Sequence, residues 1–263
     1  MPNKKIVIAL DFDGLIVDSI RESFIQSVRT HKSMGGKVPE SRAMEKRFRQ
    51  GKPLTSGNDT YFTLMRLIAQ RPLINFKKMT QEQFDAEFRR EDSEKLKKFS
   101  ALFSKNRKEM HKKNLKQWFA LHKTFPGVKR WIQGLQRKNS VWITTGKDKE
   151  SVLKLLERAG IKISENQILS RDIANGNKSK GELLRLVAER ERVPIGNVLL
   201  IDDAMSYLKE AKEIGAEAAL AKWGYSTRKQ QRELRREGIP GIRRPLFGIG
   251  FTLSRKLKQM RKK

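Results

Sequence analysis

A chain of 263 residues without a single cysteine has room for one sizeable core and a smaller second unit, and it excludes a disulfide framework, a thiolate metal site and a cysteine nucleophile. Lysine and arginine number 58 against 29 aspartates and glutamates, a formal net charge of +29 that surrounds the molecule with a positive potential and favours anionic neighbours. The one unbroken apolar run near the start, residues 6–10, is too short for a spanning helix or a secretory core, so the expected location is the cytoplasm.

In residues 4–10 two lysines lead into the continuous apolar run 6–10, rich in β-branched side chains, which ends at Asp11-Phe12-Asp13-Gly14, the pattern of a strand buried on both faces. From about residue 20 to residue 123 the spacing becomes helical, with Phe24, Val28, Tyr61, Leu64, Met65 and Ile68 recurring every three or four positions. Thr80 followed by Gln83 has the signature of a capping box, and Phe84, Phe88, Leu96, Phe99, Leu102 and Phe103 then line a long charged helix or helix pair. His31, His111 and His122 fall among the lysines of this stretch and read as solvated surface; Trp118, Trp131 and Trp142 read as packing.

Phe125-Pro126-Gly127 breaks the helical run, and a helix over residues 128–137 leads into a second strand at 140–144 that ends in Thr145-Gly146. Asp148 is placed to cap the next helix, whose apolar face is Val152, Leu155, Leu156 and Ala159 and whose end is Gly160. A helix near 179–192, a buried strand at 198–201, a helix at 207–214 and a strand at 216–220 complete an alternating series, which implies a parallel sheet with helical crossovers. The expected fold class is α/β: a Rossmann-like parallel core from residues 1–19 and 125–225, an inserted all-α cap at 20–124, and a basic helical C-terminal extension at 226–263.

Between residues 222 and 263 fourteen Lys or Arg face only Glu233 and Glu237. Residues 246–251 are apolar and glycine-punctuated, and Leu253, Leu257 and Met260 share a helix face opposite Arg255, Lys256, Lys258 and Lys262. Such a helix either lies on an anionic membrane or on RNA, or docks on the protein's own core.

In an open parallel sheet ligands sit at the carboxyl ends of the strands, where this chain places Asp11 and Asp13, Thr145, and Asp202 with Asp203. Two carboxylates two residues apart after a strand can share a pocket, one attacking phosphorus while the other protonates the leaving oxygen. Their like charges call for a cation, and Mg²⁺ suits an all-oxygen site that Asp203 and Asp202 complete from a neighbouring strand. A transferring phosphoryl group also needs a hydroxyl, backbone amides and a fixed cation, which Thr145, the Gly146 amide and a lysine can supply. A strand boundary displaced by one residue would exchange Thr145 for Thr144. Asp18 reads as a helix cap.

Asp11-Phe12-Asp13-Gly14-Leu15-Ile16-Val17-Asp18-Ser19 resembles the first motif of the haloacid dehalogenase superfamily, in its phosphoglycolate-phosphatase-like branch with a helical cap. Phe125-Pro126-Gly127-Val128 resembles that branch's return into the core. Ile143-Thr144-Thr145-Gly146-Lys147, Lys180-Gly181-Glu182-Leu183 and Leu199-Leu200-Ile201-Asp202-Asp203 resemble the second, third and fourth motifs in order, and Trp223-Gly224-Tyr225 a common late element. The resemblance implies a Mg²⁺-dependent phosphatase of a small phosphate monoester. In it Asp11 is the nucleophile that forms an aspartyl-phosphate, Asp13 is general acid and then base, Thr145 and Lys180 bind phosphate, and Asp203 holds the metal. With the residue-level reading, the metal set becomes Asp11, Asp13, Asp202 and Asp203, and the phosphate set Thr145, Gly146 and Lys180, with Lys178 a rival for Lys180.

Three positions depart from the pattern: Leu15 stands where the phosphatases usually carry Thr, Asp202 replaces a common Gly, and Tyr207 occupies the place of a frequent second Asp. Phosphomutase-like transfer uses the same two aspartates, whereas Asp13 disfavours a hydrolytic dehalogenase. The charge leaves two further functions open: a phosphatase of nucleotides or nucleic-acid ends, and a catalytically weak member that binds RNA or an anionic membrane through its basic tail.

Overall fold

The computed structural model describes residues 4–170, 179–243 and 250–262; the chain divides into two compact units, Met1–Asp18 with Thr124–Lys263, and Ser19–Lys123. Lys178 and most of the apolar 246–251 segment lie outside the described residues. The first unit opens with β1 (Val7–Leu10) and the two-residue β2 (Val17–Asp18). All four side chains of β1 are buried, as a strand covered on both faces requires.

The second unit is all helix: α1 (Ile20–Ser33), α2 (Arg42–Gly51), α3 (Thr60–Gln70), α4 (Gln81–Arg89), α5 (Ser93–Lys113) and α6 (Leu115–Ala120). Its interior is aromatic, with Phe24 against Phe48, Phe48 against Tyr61 and Tyr61 against Phe103 at centroid distances of 5.7, 5.4 and 5.5 Å. The tilted ring arrangements are those that the aromatic quadrupole favours. The expected capping box opens α4, with Thr80 Oγ1 accepting from the Gln83 amide and the Gln83 side chain accepting from the Thr80 amide. Two expectations fail here. His111 and His122 are buried, not solvated, because both rings pack on Trp118, at 5.4 and 4.5 Å, and His122 Nδ1 lies 2.9 Å from the Trp118 carbonyl. Asp18 is not the N-cap residue of α1: Ser19 holds that position, and the Asp18 carboxylate accepts from the Tyr225 hydroxyl at 3.0 Å.

After β3 (Lys123–Thr124) come α7 (Val128–Gln136), β4 (Ser140–Thr145), α8 (Lys149–Ala159), β5 (Ile168–Ser170), α9 (Lys180–Glu191), β6 (Val198–Asp202), α10 (Met205–Glu213), β7 (Glu217–Ala221), α11 (Arg228–Arg236), β8 (Gly241–Ile242) and α12 (Phe251–Lys262). Asp148 caps α8 through the Ser151 amide, and Gly160 ends that helix in the left-handed region at φ 61°. The main sheet has six parallel strands in the order β5-β4-β1-β6-β7-β8. The stretch after residue 225 was expected to be helical throughout, yet it supplies the sixth strand, and Leu234 and Ile239 around it belong to the main core.

The amphipathic α12 docks on its own protein. Leu253, Leu257 and Met260 are buried, Lys256 pairs with Glu217 at 2.5 Å, and Arg261 donates to Asn139 at 3.0 Å. Its apolar face is therefore not available to a bilayer. No helix among the described residues is long and apolar enough to cross a membrane.

Register places the edge that carries the candidate site. Leu10 of β1 pairs with Ile143 of β4 on one side and with Ile201 of β6 on the other, so the carboxyl ends of the three central strands are level. Asp11, the Thr144–Thr145 pair and the Asp202–Asp203 pair thus emerge side by side at one edge of the sheet.

Candidate active site

Asp11 follows β1 directly, and its amide still donates to the Ile201 carbonyl at 3.0 Å, which fixes its backbone to β6. The chain then turns tightly, with the Gly14 amide donating to the Val17 carbonyl at 2.8 Å and the Ile16 amide to Phe12 at 2.9 Å. Gly14 has φ +91°, and a Cβ there would stand 2.6 Å from both carboxylate oxygens of Asp203. Only glycine satisfies both conditions. A Cβ at Gly224 would collide with the Asp203 Cβ, and the Tyr225 amide donates to Asp203 Oδ2 at 2.5 Å. The late Trp223-Gly224-Tyr225 element is therefore the wall that holds Asp203, and Trp223 Nε1 anchors it by donating to the Leu15 carbonyl at 3.0 Å.

Carboxylate oxygens of Asp11, Asp202 and Asp203 lie within 4.8 Å of one another, and all three residues are buried. Asp13 is not in this group. Its half-exposed carboxylate faces Lys147, whose ammonium lies 3.3 Å away at the end of a fully buried side chain. The metal set expected from sequence thus separates into a buried triad and an aspartate paired with a lysine. Lys147 directly follows Thr145-Gly146 at the end of β4, and nothing in the sequence sets it apart from the chain's other lysines. Its amide donates to Thr145 Oγ1 at 3.1 Å, so the hydroxyl and the ammonium belong to one turn. Gly146 is exposed between them. The Thr144 side chain points the other way, into the interior, where its hydroxyl has no hydrogen-bond partner.

Lys180 stands at the first position of α9, behind a Ser179–Glu182 capping box, with the Gly181 amide donating to Glu210 at 2.8 Å. Its ammonium reaches Asp11 Oδ1 at 2.7 Å, the Thr144 carbonyl at 2.7 Å and Asp202 Oδ2 at 3.0 Å. It also sits 4.8 Å from the centre of the Tyr207 ring, an attractive cation–π geometry. Asp202 Oδ1 accepts from the Ala204 amide at 2.9 Å, leaving Oδ2 turned to the lysine. Leu15, in place of the usual threonine, is fully buried and brings no polar group.

Three clustered buried carboxylates, only two of them paired with the Lys180 ammonium, are costly. Burial and then the charge of Asp202 push the Asp11 carboxyl up to about 7, with Lys180 opposing them. Burial alone would lower Lys180, but the charges of Asp11 and Asp202 outweigh it and hold the ammonium above its ordinary range. An all-oxygen cluster of this kind, short of positive charge, fits a hard divalent cation such as Mg²⁺ and does not fit a thiolate- or imidazole-seeking metal.

The family model of haloacid dehalogenase-like hydrolases matches residues 7–215. The chain belongs to that family. Among solved structures it is similar to a predicted phosphatase from Clostridium acetobutylicum (13% identity, TM-score 0.63, 99% of this chain and 100% of that one). It is similar also to a haloacid dehalogenase-like family hydrolase from Streptococcus pneumoniae (16%, 0.58, 92% and 95%) and to a predicted phosphoglycolate phosphatase from Haemophilus somnus (15%, 0.55, 86% and 89%). At these identities the likeness is one of fold. No curated protein matches the sequence.

Proposed function

We propose that this hydrolase is a Mg²⁺-dependent phosphatase that cleaves a small phosphate monoester through an aspartyl-phosphate on Asp11. The observation that carries the reading is the buried triad of Asp11, Asp202 and Asp203 with Lys180 bonded to the nucleophile. Lys180 engages Oδ1 of Asp11, so Oδ2 is the oxygen that attacks phosphorus. As the Oδ2–phosphorus bond forms, the ester oxygen–phosphorus bond breaks, and Asp13 delivers a proton to the departing alcohol. In the second half Asp13 takes a proton from water, whose oxygen bonds to phosphorus as the bond to Asp11 breaks, releasing inorganic phosphate. The buried Lys147 ammonium, 3.3 Å from Asp13, holds that carboxyl in place through both proton transfers. Thr145, the Gly146 amide and Lys180 form the cradle for phosphoryl oxygens. Asp11, Asp202 and Asp203 would hold the Mg²⁺, whose positive charge would let an anionic nucleophile meet an anionic ester.

Purified protein and 4-nitrophenyl phosphate, with and without EDTA, test the proposal. Turnover should require Mg²⁺, and Asp11→Asn should lower kcat by at least about 10³-fold, as removal of a covalent nucleophile does. Equal turnover by Asp11→Asn and the native chain would sink the mechanism.

A further inference from the structure

The excess positive charge is not spread evenly over the first unit, and one helix concentrates it. Along α11 the residues Arg228, Lys229, Arg232, Arg235 and Arg236 are all exposed, at spacings of one, four, seven and eight from the first, which is one face of a helix. Gln230 and Leu234 form the opposite, buried face, and Leu234 is part of the core. None of the five cations makes an ion pair with an acidic side chain among the described residues. The two acids nearby are already engaged, since Lys209 bridges Glu233 and Glu237 at 2.8 Å each. The helix is rigidly set: Thr227 and Gln230 close a capping box at its start, and β8 after it is part of the sheet. By contrast α12, the helix whose amphipathic pattern first suggested an anionic surface, spends its apolar face on the core and Lys256 on Glu217.

We propose that the exposed face of α11 is a docking surface for the phosphodiester backbone of duplex nucleic acid. The stripe from Arg228 to Arg236 runs about 12 Å at 1.5 Å per residue. Over that length a duplex presents about seven charges, at one per ~1.7 Å, against the five cations of the helix. Four of the five are arginines, whose planar forks bind phosphate oxygens two at a time. The exposed face carries no aromatic side chain on which unpaired bases could stack, which favours a duplex over a single strand. It carries no apolar side chain to enter a bilayer, which favours nucleic acid over a membrane. Contacts to backbone alone carry no sequence preference. The surface is independent of the chemistry proposed at Asp11.

The test is salt-dependent binding of a labelled DNA duplex of about twenty base pairs, with an RNA duplex of the same sequence as a second arm. Five phosphate contacts give a slope of log affinity against log salt of about −4.5, a loss of about 500-fold between about 50 and 200 mM salt. The Arg228→Gln, Arg232→Gln, Arg235→Gln triple variant should lose only about tenfold over that interval. The corresponding triple lysine variant should keep the native slope, and so should Arg255→Gln with Lys258→Gln on α12. All these positions are exposed, so circular dichroism and 4-nitrophenyl phosphate turnover should stay native and separate a binding defect from a folding one. A triple glutamine variant with the native slope overturns the proposal. Failure of the native protein to bind either duplex while it sediments with phosphatidylserine vesicles overturns it as well.

Discussion

Asp11→Asn should make the metal-free protein more stable even though it removes the proposed nucleophile. The Asp11 carboxyl is raised from 3.8 to about 7 by burial and by Asp202. An acid that holds its proton more tightly in the folded than in the unfolded chain favours unfolding once it ionises. The penalty begins above about pH 4, grows with pH and levels off above about pH 7. Three pKa units correspond to a ceiling of about 4 kcal/mol. That raised value already includes the opposing pull of Lys180, so, allowing for an imperfect fit of the asparagine amide in a site built for a carboxylate, a net gain on the order of 2 kcal/mol is expected near pH 7.5. For a chain of this size that is a rise of roughly 4–8 °C in melting temperature. Melting curves in EDTA from about pH 4 to pH 8 should show the two proteins converging in acid and separating towards neutrality. With Mg²⁺ in excess the order should reverse, because the cation binds the ionised native site and stabilises it by mass action. An Asp11→Asn protein that melts at or below the native midpoint at neutral pH without metal, or whose advantage does not change with pH, would refute the charge-strain account.

Gly224→Ala should weaken the dependence on Mg²⁺ and cost roughly 1–3 kcal/mol, since the new Cβ meets the Asp203 Cβ, which no rotamer can move. Metal titrations of activity and urea midpoints check both, and native values in each would remove the wall from the account. In the helical unit Glu22 and Arg107 form a buried bidentate pair, at 2.8 and 3.2 Å. Glu22→Gln should destabilise that unit by about 3–5 kcal/mol, while Glu22→Leu with Arg107→Met should recover most of the loss. Hydrogen exchange of residues 19–123 measures both, and equal protection in native and Glu22→Gln proteins would contradict the assignment.

The acidic cluster of the candidate site was legible because its residues sit at strand ends, where short apolar runs such as 6–10 and 198–201 stop at aspartates. The register that makes those ends level could not be read from spacing. Strands β5 and β8 were missed because three and two residues carry no periodicity. His111 and His122 were misread because their surroundings in sequence are lysines, whereas their surroundings in space are the Trp118 ring. Lys147 looked like any other basic residue in a chain rich in them; only the fold shows a lysine with no exposed side-chain surface facing Asp13. The amphipathic pattern of α12 was plain in sequence, but the pattern says only that one face must be covered, and β8 had to be found before the core could be seen to cover it.

The departures Asp202 and Tyr207 are best understood as one change. Asp202 Oδ2 is 3.0 Å from the Lys180 ammonium and the Tyr207 ring centre 4.8 Å from it, so positions 202 and 207 converge on the same charge from a strand end and from a helix. A carboxylate is useful at either place and excessive at both, because Asp11 already shares that ammonium and lies within reach of Asp203. Asp202→Gly alone should therefore lower kcat/KM about tenfold or more by leaving Lys180 short of a partner. Tyr207→Asp alone should lower it too, by adding a fourth negative charge to a buried site that Lys180 cannot balance. Combined, the two substitutions restore one carboxylate at the ammonium, and the double variant should exceed the product of the single effects by at least about 1 kcal/mol of coupling. Strict additivity in that cycle would mean that the two residues act on Lys180 independently, and the exchange of one carboxylate position for another would have to be abandoned.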